Sequence, residues 1–199
     1  MTSLLMDSRV LFSAFVGLVA LSRLVELGIS VRNARALLAR GGREAGRGHL
    51  PAMIALHVLF LVAAPAEVWL LDRVVWPLLS WSAMAVFAVA QAIRIWTVDS
   101  LGERWTVRVI AVPGDEPVTS GPYRFVRHPN YVVVALEILS IPLVHTAWIT
   151  AVVFSAINAW ILGVRIRAEE ALLRDVTSYE SAMAETPRFM PRGRAERRP

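Results

Sequence analysis

The sequence contains no cysteine. That absence excludes a disulfide framework, a thiolate metal site and thiol nucleophilic catalysis. Lysine is also missing, so all 21 basic residues are arginine. The four histidines, His49, His57, His128 and His145, are scattered without the spacing of a metal-ligand set, so no metal is expected. No internal repeat is visible, and nothing marks a second, soluble domain. Val10 to Ala20 is apolar and follows Arg9, yet Leu21 to Ser30 continues the same helix through Arg23 and Glu26 with no small-residue cleavage site. A removable signal peptide is therefore not expected.

Apolar residues dominate what remains. They make up 56% of the 199 residues and mean hydropathy is +0.52, against the roughly 45–50% apolar content of ordinary soluble domains. Five apolar spans can be marked, at about Val10–Ser30, Pro51–Leu71, Trp76–Trp96, Tyr131–Val144 and Ala147–Val164. Each approaches the roughly 20 residues that carry a helix across about 30 Å of hydrocarbon, except the fourth. That one crosses only if upright, in a thin bilayer, or bent at Pro142. The predicted fold is all-α, an integral membrane bundle of about five transmembrane helices.

The formal charge of +5 suggests nucleic-acid binding only if the positions of the arginines are ignored. Seventeen of them fall in three blocks, Arg32–Arg47, Arg104–Arg127 and Arg165–Arg198, between or after the apolar runs. This is the positive-inside pattern of a multi-pass protein of the cytoplasmic membrane, with its N-terminus outside and its C-terminus cytoplasmic. The expected partners are membrane lipids and a lipophilic small molecule, with no nucleic acid. Asp72-Arg73-Val74-Val75 and His145-Thr146 are short enough to make antiparallel helix hairpins. Ala39 to Gly48, with four glycines and three arginines, is expected to be a mobile cytoplasmic loop. One membrane domain is expected over residues 1–187, followed by a basic tail over 188–199 that is disordered or lies on anionic headgroups.

The densest chemistry lies in Gly121-Pro122-Tyr123-Arg124-Phe125-Val126-Arg127-His128-Pro129-Asn130-Tyr131. Gly121-Pro122 marks a turn, and Pro129 suits the first position of a helix because the N–H it lacks has no partner there anyway. Free N–H groups at that helix start, with Arg127 and His128, can hold an anion. Tyr123 and Tyr131 offer aromatic faces to a heterocycle or a cation. An interfacial belt that anchors a helix at headgroup level accounts for the same residues. Farther on, Glu169 follows Arg165 by four residues, so both project from one helix face and can pair or share a ligand; a solvated helix end is the plainer reading of that charge run. Trp96 and Trp105 flank the loop and can cover a pocket.

Taken together, Gly121-Pro122-Tyr123, then Arg127-His128-Pro129-Asn130-Tyr131, an apolar hairpin, and Glu169-Glu170 with Leu173 resemble the isoprenylcysteine carboxyl methyltransferase (ICMT) family. The resemblance is specific over roughly Asp99 to Pro187. It implies an integral membrane enzyme that uses S-adenosylmethionine to methylate lipid-linked substrates. It implies cofactor contacts from Asp115, Glu116, Pro117, Val118, Tyr123, His128, Pro129, Asn130, Tyr131 and Glu169, with Arg165 facing the substrate. The family pattern has glycine two residues after the tyrosine, where this chain has Val133, which argues against a prenylated cysteine as acceptor. Arg23-Leu24-Val25-Glu26 with Ser30, Arg32 and Asn33, then His49-Leu50-Pro51 and His57, is more similar to a bacterial, YpbQ-like branch that acts on long-chain polyketide lipids such as alkylpyrones.

Charges inside the spans cost on the order of 2.5–3.5 kcal/mol each on insertion scales, so they pair or face a cavity. Arg23 and Glu26 are expected to pair on the first helix. Arg94 is a partner for Glu67 or Glu137, and Glu137, six residues past Tyr131, is expected to line the active cavity as a catalytic residue beside Arg165. The expected function is S-adenosylmethionine-dependent methyl transfer to an oxygen of a lipophilic acceptor, a carboxylate, enol or phenol. The alternatives are N-methylation of a phospholipid headgroup and a non-enzymatic scaffold that binds anionic lipid.

Overall fold

The computed structural model describes residues 2–190, with side chains described from residue 8 onward. The expected tail falls largely outside this range, at 191–199. Six helices carry the fold: α1 (Thr2–Ala39), α2 (Leu50–Leu70), α3 (Pro77–Leu101), α4 (Pro129–Leu143), α5 (Trp148–Val176) and the single turn α6 (Tyr179–Ala182). Helices α1, α2, α3 and α5 are long and apolar enough to cross a membrane, and α4 is a shorter apolar helix of 15 residues. Each expected span thus finds its helix, and the all-α bundle is borne out.

Proline sets three of the starts. Helices α2, α3 and α4 each carry proline at the first or second position, where its fixed φ fits and its missing N–H costs nothing. The core is a spine of Phe12, Val16 and Val19 on α1, Leu56, Phe60, Ala64 and Val68 on α2, Ile138 and Ile141 on α4, and Ile161 on α5. Leu11, Leu18, Leu24, Leu78, Trp81, Val152 and Trp160 are exposed on the outside of the same helices. Helices apolar all round, with no aqueous face, belong in hydrocarbon.

The two ends of the bundle differ. At one end Glu67, 8% exposed, reaches across to the start of α5, where it accepts the N–H of Ile149 (3.1 Å), the N–H of Thr150 (2.7 Å) and the Thr150 hydroxyl (2.7 Å). Arg73 adds Nε (3.0 Å) and Nη2 (2.7 Å). A side chain from α2 thereby satisfies donors that a helix start leaves open. Thr146 Oγ1 donates to Val74 O (2.6 Å) and Arg9 pairs with Asp72 (2.8 Å), so both short turns and the start of α1 lie together.

At the other end α1 and α5 run on past their expected limits, and a small two-stranded antiparallel sheet packs against both. Strands β1 (Arg43–Ala45) and β2 (Val109–Ala111) pair with Arg43 opposite Ala111 and Ala45 opposite Val109. Val109 and Ala111 pack on Leu172 of α5. The expected loop over Ala39–Gly48 thus carries a short strand at Arg43–Ala45 and, from Arg47, a single 3-10 turn. Its glycines serve geometry: Gly41 takes φ +83°, and Gly42 donates back to Leu37 O at 2.9 Å, the six-to-one closure that terminates a helix. A Cβ on Gly42 would lie 2.6 Å from that same oxygen. Glu44 then fastens the strand pair through Arg108 and Arg47 (2.6 Å to Arg47 Nε). The Arg108 hydrogen bond holds its carboxyl below the usual range.

Candidate active site

The start of α4 and the late turns of α5 face each other across one cavity, closed on its other sides by the 104–118 segment, Tyr123 and α6. All three tyrosines of the chain, Tyr123, Tyr131 and Tyr179, stand in its wall. His128 immediately precedes α4 and Tyr131 lies one turn in, so their rings stack, with centroids 5.4 Å apart and planes inclined by 24°. Opposite them Arg165 and Glu169 occupy one face of α5, as their four-residue spacing requires. Arg165 Nε donates to the Tyr131 hydroxyl (2.9 Å), and that hydroxyl donates to Glu169. The guanidinium lies 5.7 Å from the Tyr131 ring centroid.

His128 is straddled by two successive carboxylates. Its Nε2 lies 3.1 Å from Glu170 Oε1, while its Nδ1 stands 3.7 Å from Glu169 Oε1, beyond hydrogen-bond reach. Burial works to lower the imidazole pKa, and the two carboxylates outweigh it, so the net shift is upward. Burial raises Tyr123 strongly, with Glu169 adding to the effect, and pushes Tyr179 up to about 12.

The segment that walls the cavity is clamped from behind. Ser30 Oγ accepts the Val107 N–H (2.8 Å), Asn33 Nδ2 donates to Trp105 O (2.9 Å), and Arg165 Nη2 donates to Val107 O. Trp105 is buried by this arrangement. Four buried polar atoms in the cavity wall have no hydrogen-bond partner among the described residues: Trp105 Nε1, His128 Nδ1, Asn130 Oδ1 and the Tyr179 hydroxyl. Buried polar groups are nearly always paired, so four orphans on one cavity mark a place where a ligand supplies the missing partners.

The sequence pattern of the isoprenylcysteine carboxyl methyltransferase (ICMT) family matches residues 83–175, which carry α4 and nearly all of α5. The chain is 38% identical over 166 residues to the uncharacterized protein YpbQ of Bacillus subtilis strain 168, covering 83% of this chain and 98% of that protein. The chain belongs to the ICMT family. It is also 31% identical over 152 residues to an uncharacterized protein of Haemophilus influenzae, covering 76% of this chain and 88% of the relative. The ICMT family is one of membrane methyltransferases, and that much of the functional expectation holds for this chain.

Within this ICMT-family chain, ten of the twelve expected site residues line the one cavity: Asp115, Glu116, Pro117, Val118, Tyr123, His128, Asn130, Tyr131, Arg165 and Glu169. Pro129 does not; it is the buried first residue of α4, and its part is to start the helix. Glu137 does not either, contrary to expectation. It sits deeper, where it accepts from Gln91 Nε2 (2.6 Å), Arg23 Nη2 (3.3 Å) and Arg94 Nη1 (3.3 Å), while Glu26 bonds both arginines. Two carboxylates and two guanidiniums balance there, because charges among apolar helices persist only when paired. Arg94 thus chooses Glu137, and Glu67 is taken by Arg73. His57 Nδ1 donates to Met53 O (2.8 Å) one turn back on its own helix, away from the cavity.

Sequence reasoning missed several participants. Glu170 follows the assigned Glu169 directly, and helical geometry alone could have aimed it at a neighbouring face. Ser30 and Asn33 were singled out only for resemblance, and their clamp on Trp105–Val107 needs the fold to be seen. Arg188 carried no signal, standing in a segment expected to be a tail.

Proposed function

We propose that this chain transfers a methyl group from S-adenosylmethionine to an oxygen of a lipophilic acceptor at the membrane surface. The observation that carries the reading is the set of four orphaned polar atoms on a cavity lined by the residues the ICMT resemblance nominates. The donor set fits such a cofactor. Glu169, 28% exposed toward the cavity, suits an ammonium; His128 Nδ1 suits a carboxylate; Asn130 Oδ1 and Trp105 Nε1 offer an acceptor and a donor to a nucleoside, with Tyr123 and Val118 as ring-sized walls. Asp115 and Glu116 are held in place by Arg40 (3.0 Å to Asp115) and by Arg104 (2.6 Å to Glu116 O).

When bound, the cofactor supplies an electrophilic methyl on a cationic sulfur, which passes to the acceptor oxygen as the carbon–sulfur bond breaks. The chain need not supply a strong base, since a carboxylic acid or an acidic enol is already ionised near neutral pH. Arg165 has committed Nε to Tyr131 and Nη2 to Val107 O, and its remaining Nη1 is free among the described residues to hold the acceptor anion. Tyr131 fixes the guanidinium from below, and Trp105 keeps water from that side. We further propose that the helices span the cytoplasmic membrane with the cavity end, which bears the arginine blocks, facing the cytoplasm.

Two measurements test the reading. Membrane lipids incubated with purified protein and isotope-labelled S-adenosylmethionine should yield a species heavier by one labelled CH₂ unit; no labelled lipid under any condition rejects it. An Arg165→Ala protein should lose about a hundredfold in turnover, the scale of removing one charge-stabilising donor, with S-adenosylhomocysteine affinity within about threefold of wild type. Normal turnover would remove Arg165 from the acceptor role.

A further inference from the structure

We propose that Arg188 is a positioning residue for the methyl-donor site, acting through Glu170 to hold His128 with its Nδ1 turned into the cavity. The inference rests on the donor-site reading above. Glu170 is 1% exposed and fully engaged: Oε1 accepts from Arg188 Nε (2.9 Å) and faces His128 Nε2 (3.1 Å), and Oε2 accepts from Arg188 Nη2 (2.7 Å) and Arg174 Nη2 (2.9 Å). The two-pronged Arg188 contact fixes the plane of the carboxylate as well as its charge. A carboxylate fixed in that plane takes the Nε2 hydrogen of His128, which sets the ring orientation and leaves Nδ1 as the orphan facing Glu169.

The backbone that carries Arg188 closes the same spot. Arg127 N–H donates to Pro187 O (2.8 Å), His128 N–H donates to Arg188 O (3.3 Å), and Arg127 Nε donates to Thr186 O (2.5 Å). The Phe189 ring lies 6.3 Å from the His128 ring, which Tyr131 stacks on as well. Residues 186–189 thus form a strap across the approach to α4. They occupy the backbone N–H groups of Arg127 and His128, just ahead of the helix start whose N–H groups the sequence had suggested for an anion, and recognition of a donor carboxylate falls to His128 Nδ1. A side chain in that position has one feasible orientation only while the strap is fastened.

The experiment measures S-adenosylhomocysteine binding to the full-length protein in lipid nanodiscs, alongside donor KM and kcat. Arg188→Gln should weaken binding about tenfold, the effect of one charge-assisted hydrogen bond, and raise donor KM by a similar factor with kcat within about twofold. Arg188→Lys should recover part of the loss, because it restores charge without the two-pronged geometry. Glu170→Gln combined with Arg188→Gln should cost no more than the worse single change, since both act through one contact. Amide exchange of Arg127 and His128 in the unaltered protein gives a second reading, slow in the free state and slower with S-adenosylhomocysteine. Wild-type affinity in Arg188→Gln overturns the proposal. Should that variant not fold, exchange at Arg127 and His128 that S-adenosylhomocysteine leaves unchanged overturns it, and slowed exchange supports it. Absence of S-adenosylhomocysteine binding by the unaltered protein rejects the donor-site reading itself, and the role of Arg188 with it.

Discussion

Glu67 and Glu169 are carboxylates set among apolar helices at opposite ends of one bundle, and they are treated differently. Glu67 accepts five hydrogen bonds, two of them from backbone N–H groups at the start of α5. Glu169 accepts one, from Tyr131, with His128 standing off at 3.7 Å. The first is saturated and holds two helices together. The second keeps acceptor capacity in reserve, beside four polar atoms that have no partner among the described residues. A buried charge whose bonds are all met inside the protein is part of the scaffold, while one left half-satisfied beside a cavity is set for a ligand. The Arg23, Glu26, Gln91, Arg94 and Glu137 cluster falls on the scaffold side by the same test, with Arg23 Nε its only buried atom lacking a partner among the described residues.

Breaking each carboxylate separates the two roles. Glu67→Ala should destabilise the folded protein by about 3 kcal/mol, because it strands Arg73 and two helix-start donors. Thermal unfolding in detergent checks this, and methyl transfer per folded molecule should stay near wild type. A stable Glu67→Ala protein would dissolve the contrast. Glu169→Ala should do the reverse. S-adenosylhomocysteine affinity should fall by about a hundredfold, the loss of one desolvated charge contact, while the unfolding midpoint shifts little. Calorimetric titration reads the first quantity and a melting curve the second.

The smallest expected effect is a dependence on pH. His128 has its pKa raised in the fold: burial opposes protonation, and Glu169 and Glu170 prevail. A raised value means that the fold favours the protonated ring. Its contribution to stability is complete below the unfolded value of about 6.5 and is lost as pH climbs through the higher folded one. Proton resonances of the His128 ring should therefore titrate above the ordinary imidazole range. A midpoint at or below that range would show that the carboxylates do not govern the ring.

Much of this was legible in order of residues alone, and the misses have physical causes. The spans were found because continuous apolar runs are a local property, and Pro129 and Glu169 because helix starts and four-residue spacings are local too. The glycines of Ala39–Gly48 marked a loop without showing the strand in it, because glycine permits mobility and also permits Gly41 and Gly42 to close a helix. Glu137 was assigned to the cavity from its distance along α4, when its partners lie on α1 and α3. Arg188 was read as tail because nothing near it in sequence explains it, and its partner Glu170 lies 18 positions earlier.

The sequence by itself determined that this chain is a helical membrane protein of the ICMT kind, because hydropathy, proline placement and a short polar motif act over a turn or two of chain. Only the tertiary structure decided which buried charges are bolts and which are vacant hands. Whether a carboxylate is satisfied depends on donors brought in from distant helices, and a linear pattern does not contain that distance.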